Sequence, residues 1–267
     1  MTPNTEDNPI GMFDSGLGGL TVMQQLVRVL PHENITYFGD TARLPYGGKS
    51  PETIVRYSIE NTIFLIQKNV KMLIVACNTA SAHALENLQQ IFNIPVIGVI
   101  DPGAEVAVQA TKHGRIGVLG TKGTILSQSY QKAILHKAPK ALVFPVACPL
   151  FVPLVEEDCL SHPAARLIVQ EYLKPLREHR IDTLLLGCTH YPLLEELIRS
   201  EIGDGVTIVN SATSCAEKVS GMLLQDGLAR LGERHPNYQY FVSDDPMKFR
   251  MLGSSFLGRP IDDVCVP

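Results

Sequence analysis

No run of lysine and arginine interrupts these 267 residues, which carry 23 basic against 27 acidic side chains and a net charge of −4. Phosphate contacts need clustered cations, so this balance argues against non-specific nucleic-acid binding. No apolar stretch reaches the roughly 18–20 residues of a membrane span. The polar segment Met1–Pro9, with Glu6 and Asp7, has no hydrophobic signal region. There is no low-complexity linker. Among six cysteines there is no C-x-x-C pair and no Cys/His cluster with zinc-like spacing, so no metal site is expected. These absences together predict a cytoplasmic protein, where disulfides do not persist.

What is present is apolar and periodic. Hydrophobic residues make up 45% of the chain, enough for one large α/β domain or two smaller ones. Runs rich in Val and Ile predict strands at Ile10–Phe13, Ile35–Phe38, Met72–Ala76, Val96–Val99, Ile116–Leu119, Ala141–Val146, Thr183–Leu186 and Thr207–Val209. Helix-period segments lie between them, at Leu20–Val29, Pro51–Lys68, Ala80–Ile91, Ala104–Gln109 and Ala164–Glu178. Ser50-Pro51-Glu52 reads as a helix start, with Ser as cap and Pro in the first turn. Alternation of near-continuous apolar strands with helices predicts parallel sheets covered on both faces. Asp101-Pro102-Gly103 and Asn210-Ser211-Ala212-Thr213 read as breaks. They divide the chain into a domain of both ends (1–100 plus 211–267) and a domain of the middle (101–210). From Gln239 onward the pattern is mixed.

Two segments stand out, Ala76-Cys77-Asn78-Thr79-Ala80 and Gly187-Cys188-Thr189-His190-Tyr191. Each follows an apolar run, so each places a thiol at the C-terminal end of a buried parallel strand. Ligands bind at such ends. A free cysteine is ordinarily a small hydrophobe, and that reading serves for Cys148, Cys159, Cys215 and Cys265. It fits Cys77 and Cys188 poorly. Two equivalent thiols in two halves of a chain suit a reaction that must handle both faces of one carbon. His190, two residues from Cys188, can set the protonation of that thiol.

The first strand ends in Phe13-Asp14-Ser15-Gly16-Leu17-Gly18-Gly19-Leu20, a strand-to-helix turn able to point N–H groups at an anion. Asp40, after the second strand, mimics the acid of a dinucleotide site. The spacing G-x-G-G and the charge of Asp14 count against that reading. A tight capped turn and an anion-binding loop with a functional carboxylate both remain. In the loop from Gly39 to Ser50, Arg43 and Lys49 read by default as solvated charges and otherwise as attractors of an acidic ligand, while Tyr46 and the N–H groups near Gly47 offer pocket walls. Thr121 and Thr124 sit at another strand-end turn and can donate hydrogen bonds to a carboxylate. Glu156 and Glu157 follow Pro149-Leu-Phe-Val-Pro153 as surface acids or functional ones.

In order along the chain, GMFDSGLGGLTV (Gly11–Val22), GDTARLPYG (Gly39–Gly47), VACNTA (Val75–Ala80), VIGVIDPG (Val96–Gly103), FVPLVE (Phe151–Glu156) and GCTHYP (Gly187–Pro192) closely resemble the motifs of the cofactor-independent glutamate racemases. The match runs from about residue 10 to about residue 215. Leu44 and Gly48 depart from the pattern, which favours an aromatic and a proline there. The resemblance implies two Rossmann-like parallel-sheet domains with pseudo-two-fold symmetry and the active site between them. It implies Cys77 and Cys188 as the acid/base pair, assisted by Asp14, His190 and Glu156, with adjacent Glu157 leaving that last placement open. It further implies that Asp14, Ser15, Pro45, Tyr46, Gly47, Asn78, Thr79, Thr121, Thr189 and His190 hold the amino acid.

The implied reaction is racemisation of L-glutamate to D-glutamate for peptidoglycan precursors, with no cofactor and no metal. The implied partner is the small-molecule substrate, with neither nucleic acid nor membrane, and a homodimer is the assembly to test. Without pyridoxal phosphate there is no electron sink for the α-carbanion, and no lysine is assignable to that cofactor. Preorganised hydrogen bonds and proton positioning must serve instead. One thiolate takes the proton and the opposite thiol returns one to the other face. The alternatives are a racemase of another acidic amino acid, a Cys-His thiol hydrolase using Cys188 and His190, and a binding protein that leaves the α-proton in place.

Overall fold

The computed structural model describes residues 5–232 and 234–267. Met1–Asn4, the start of the polar N-terminal segment, lie outside the described residues. The chain builds two sheets in which every pair is parallel. Strands β1 (Ile10–Asp14), β2 (Ile35–Gly39), β3 (Met72–Val75) and β4 (Val96–Gly98) join β9 (Tyr238–Val242) and β10 (Val264–Cys265) in the order β10-β9-β2-β1-β3-β4. Strands β5 (Arg115–Gly120), β6 (Leu142–Ala147), β7 (Thr183–Gly187) and β8 (Thr207–Asn210) form a second sheet, β6-β5-β7-β8. The order β2-β1-β3-β4 in one is the order β6-β5-β7-β8 in the other. The central strands β1, β3 and β7 are buried throughout, as their unbroken apolar runs require.

That repeated order has a consequence for ligands. The chain leaves β1 toward one side and returns for β3 on the other, so the C-terminal ends of β1 and β3 flank a topological switch point. The ends of β5 and β7 flank a second one. Register places these ends level with one another: Phe13 pairs with Val75, and Gly120 pairs with Gly187. Ser15 and Cys77 therefore emerge together from one sheet, and Thr121 and Cys188 from the other.

Helices α1 (Leu20–Val29), α2 (Pro51–Ile66) and α3 (Asn78–Ile91) pack on the first sheet. The second is flanked by α4 (Ile100–Ala110), α5 (Lys122–Leu126), α6 (Ser129–Lys137), α7 (Phe151–Glu156), α8 (Pro163–Glu178) and α9 (Glu195–Ile202). The chain then continues into α10 (Ser211–Gln225) and, after β9, α11 (Pro246–Leu257). One apolar core is continuous from Met12 and Leu20 through Val219 and Cys215 to Leu186 and Leu119, so the two sheets share buried surface.

Two expected breaks are helix starts. Asp101-Pro102-Gly103 lies inside α4, where Pro102 falls in the first turn and its missing N–H has no intrahelical partner to lose. Asn210 caps α10 by accepting from the Ala212 N–H at 2.9 Å. Ser50 caps α2, accepting from Thr53 N–H at 3.3 Å. Cys148 and Cys215 are buried small hydrophobes as expected, but Cys159 is half-buried and Cys265 exposed, because a short edge strand leaves its side chain in solvent. Among the described residues, no helix is long and apolar enough to cross a membrane.

Candidate active site

The two switch points open onto one narrow cavity lined from both halves of the chain. The first half contributes Ser15, Gly16, Leu44, Pro45, Tyr46, Gly47, Cys77, Asn78 and Thr79. The second contributes Thr121, Val152, Glu156, Cys188, Thr189 and His190. Among the described residues no lysine or arginine lines it, so a bound carboxylate would rest on neutral donors. The start of α3 is one source. Cys77 occupies the cap position without a side-chain capping bond, which leaves first-turn N–H groups available.

Both thiols are nearly buried, each 5% exposed. Their neighbours differ. The Cys77 thiol donates to Ser15 Oγ at 3.6 Å. Burial pushes the Cys77 pKa up to about 11, and nearby Asp14 adds to the rise. Cys188 Sγ lies 4.0 Å from His190 Nδ1, and burial raises this thiol as well. On its far side His190 Nε2 meets Glu156 Oε1 at 2.9 Å. Glu156 thus faces the cavity, whereas Glu157 ends α7 and is exposed.

Asp14 is fully buried behind the cavity wall. Its carboxylate accepts from the Gly16 N–H at 2.9 Å and from the Thr189 hydroxyl at 3.5 Å. Burial raises its pKa, while His190 and the Gly16 N–H pull the other way. The Thr189 hydroxyl also stands 3.5 Å from His190 Nδ1. A polar chain therefore runs Asp14–Thr189–His190–Glu156 across the two halves. Thr79, Thr121 and Thr124 form a second crossing: their hydroxyls are hydrogen-bonded to one another at 2.9, 3.2 and 3.0 Å.

The residues that the resemblance assigns to the site come together here, with Asp14 one layer behind. The glycine-rich turn is explained by close approach. A Cβ on Gly18 would lie 2.2 Å from Thr189 Oγ1, and one on Gly19 would lie 2.6 Å from Asp14 Cβ. Asp40 is no ribose acid: it is buried and accepts from Arg43, Tyr46 and Ser243. Arg43 is turned away from the cavity toward Asp40, Glu60 and Asn61, and Lys49 is outside the lining. Sequence reasoning passed over Tyr37, whose hydroxyl donates to Gly16 O at 2.9 Å, and Tyr130, whose hydroxyl donates to Asn78 Oδ1 at 2.6 Å. Both lie in apolar-periodic stretches that carry no local mark of a site.

The sequence and the fold match one family. The model of the Asp/Glu/hydantoin racemases matches residues 10–219, and the chain belongs to that family. A glutamate racemase from Geobacter metallireducens is 52% identical over 255 residues, covering 96% of this chain and 94% of the relative. The solved glutamate racemase of Bacillus anthracis superposes with a TM-score of 0.95 at 42% identity, covering 98% of each chain. That of Francisella tularensis, solved in complex with D-glutamate, gives 0.92 at 38% identity, again covering 98% of each. The chain is accordingly an isomerase, an amino-acid racemase of the glutamate racemase group.

Proposed function

We propose that the chain interconverts L- and D-glutamate by a two-thiol proton transfer at Cα, and that this supplies D-glutamate for peptidoglycan precursors. The observation that carries the reading is the shared cavity: Cys77 and Cys188 end strands of different sheets yet line one pocket. In this reading the domains are 1–100 with 211–267, and 101–210, divided where the strands change sheets. The site takes no cofactor. The free cysteines and the need for reduced thiols fit a cytoplasmic location. A homodimer is the assembly we propose for solution, to be checked by sedimentation.

The chemistry follows from the wall. Substrate carboxylates rest on hydroxyls, the Asn78 amide and N–H groups at the start of α3. Both thiols are protonated at neutral pH, since burial raises them. The α-ammonium of the incoming substrate favours a thiolate, and the released proton moves to Asp14 on the Cys77 side or to His190 on the Cys188 side. The thiolate forms an S–H bond as the Cα–H bond breaks. The opposite S–H then breaks as a new Cα–H forms on the other face. Roles are exchanged at the end of the turnover, and Ser15 and the His190–Glu156 pair orient the two thiols.

The test is circular dichroism with proton NMR in deuterated water on the wild type, Cys77→Ala and Cys188→Ala. The wild type should invert glutamate and incorporate deuterium at Cα. Each variant should lose inversion by several orders of magnitude, because no base or no acid remains on one face. Normal racemisation by either single variant would overturn the two-thiol mechanism.

A further inference from the structure

The Asn78 amide has one satisfied end and one bare end. Its Oδ1 accepts from Tyr130, while Nδ2 is buried with no partner among the described residues. Asn78 is 2% exposed and lines the cavity directly after Cys77. A buried donor without a partner is costly and points to a ligand acceptor that completes it.

Tyr130 lies outside the cavity lining and belongs to α6, in the other half of the chain. It is fully buried. Its ring rests against Gly187, the residue before Cys188: a Cβ there would lie 2.8 Å from Tyr130 Cε2. One side chain therefore touches the residue preceding one thiol and the residue following the other.

We propose that Tyr130 is a positioning residue that locks the Asn78 amide with its NH₂ facing the substrate carboxylate, and ties the two thiol-bearing strand ends together. The two ends of a primary amide are nearly equal in shape. A free Asn78 would turn its carbonyl toward the carboxylate as readily as its NH₂, and that orientation repels the substrate. The phenol hydroxyl decides between them by occupying the carbonyl. Burial holds the phenol pKa above its ordinary 10.0, so the hydroxyl stays a donor across the working range.

This inference rests on the glutamate reading of the site, and wild-type turnover of glutamate checks that reading separately. Tyr130→Phe keeps the ring on Gly187 and removes only the hydroxyl. We expect KM for both enantiomers to rise about tenfold while kcat changes by about twofold or less. In an Asn78→Ala background, the further change Tyr130→Phe should leave kcat/KM unmoved, because the group it acts through is gone. Thermal unfolding of each variant reports the fold alone. With wild-type activity intact, an unchanged KM in Tyr130→Phe overturns the positioning role. An equal loss in both backgrounds does the same, since it assigns the effect to packing.

Discussion

Gly18→Ala adds one methyl group at the seam between the two halves. Gly18 has an ordinary backbone conformation, so the substitution acts by contact alone. The new Cβ would meet Thr189 Oγ1 at 2.2 Å, His190 Nδ1 at 2.6 Å and His190 Cε1 at 2.7 Å, where ordinary contact begins at 3.4 Å. Thr189 and His190 must retreat by about an ångström. They are poorly placed to do so. The Thr189 carbonyl accepts from Thr21 at 2.8 Å, His190 is held by Glu156 at 2.9 Å, and its ring stands edge-on to Phe256. Overpacking of this kind costs about 1–3 kcal/mol, a fall in Tm of roughly 2–10 °C for a chain this size. The same shift alters the 4.0 Å approach of His190 to Cys188, and misplacement by an ångström costs about a hundredfold in rate. The assay is racemisation by circular dichroism beside a thermal melt, with Gly48→Ala as control, since a Cβ there meets nothing within 4 Å. Gly18→Ala with wild-type kcat/KM and an unchanged Tm would refute the steric account of this turn.

Cys77→Ser removes a thiol that burial has pushed to about 11 from an ordinary 9.0. Between those values the folded chain keeps a proton that the unfolded chain has released, so this group's stabilisation is whole below pH 9 and is lost as pH rises toward 11. Urea titrations should show wild type losing on the order of 2 kcal/mol relative to Cys77→Ser over that window; a pH-independent difference would count against the raised pKa. Lys71→Met breaks a buried pair in which Lys71 meets Glu33 and also donates to the carbonyls of Glu6 and Leu228 at 2.8 Å. Removing one partner of such a pair costs about 3–5 kcal/mol. Urea unfolding should show that loss while the folded fraction keeps its kcat, and a loss below about 1 kcal/mol would contradict the assignment.

Local patterns reached far into the fold. Leu20–Val29 was legible as a helix to the residue, because its apolar spacing has the helical period over ten positions. β7 runs one residue past its apolar stretch, to Gly187. The shortest helices were not legible. The helix Phe151–Glu156 spans six residues around Pro153, too few to show a period. The end of the chain gave mixed signals because β10 is a two-residue edge strand and β9, between it and β2, is only partly buried and takes its place by long-range pairing with β2.

The residues alone determined the chemistry available at each strand end: thiol, amide and hydroxyl at Cys77–Thr79, thiol, hydroxyl and imidazole at Cys188–His190. Apolar runs and turn residues are short-range signals, so they mark such ends wherever they fall. The tertiary structure decided which ends meet. It set Cys77 and Cys188 in one cavity, chose Glu156 over Glu157 for His190, and pressed Thr189 against Gly18. It also brought Tyr130 to Asn78 across 52 positions of chain. Those contacts depend on how two switch points pack across a shared apolar core, and no local pattern in the chain encodes that distance.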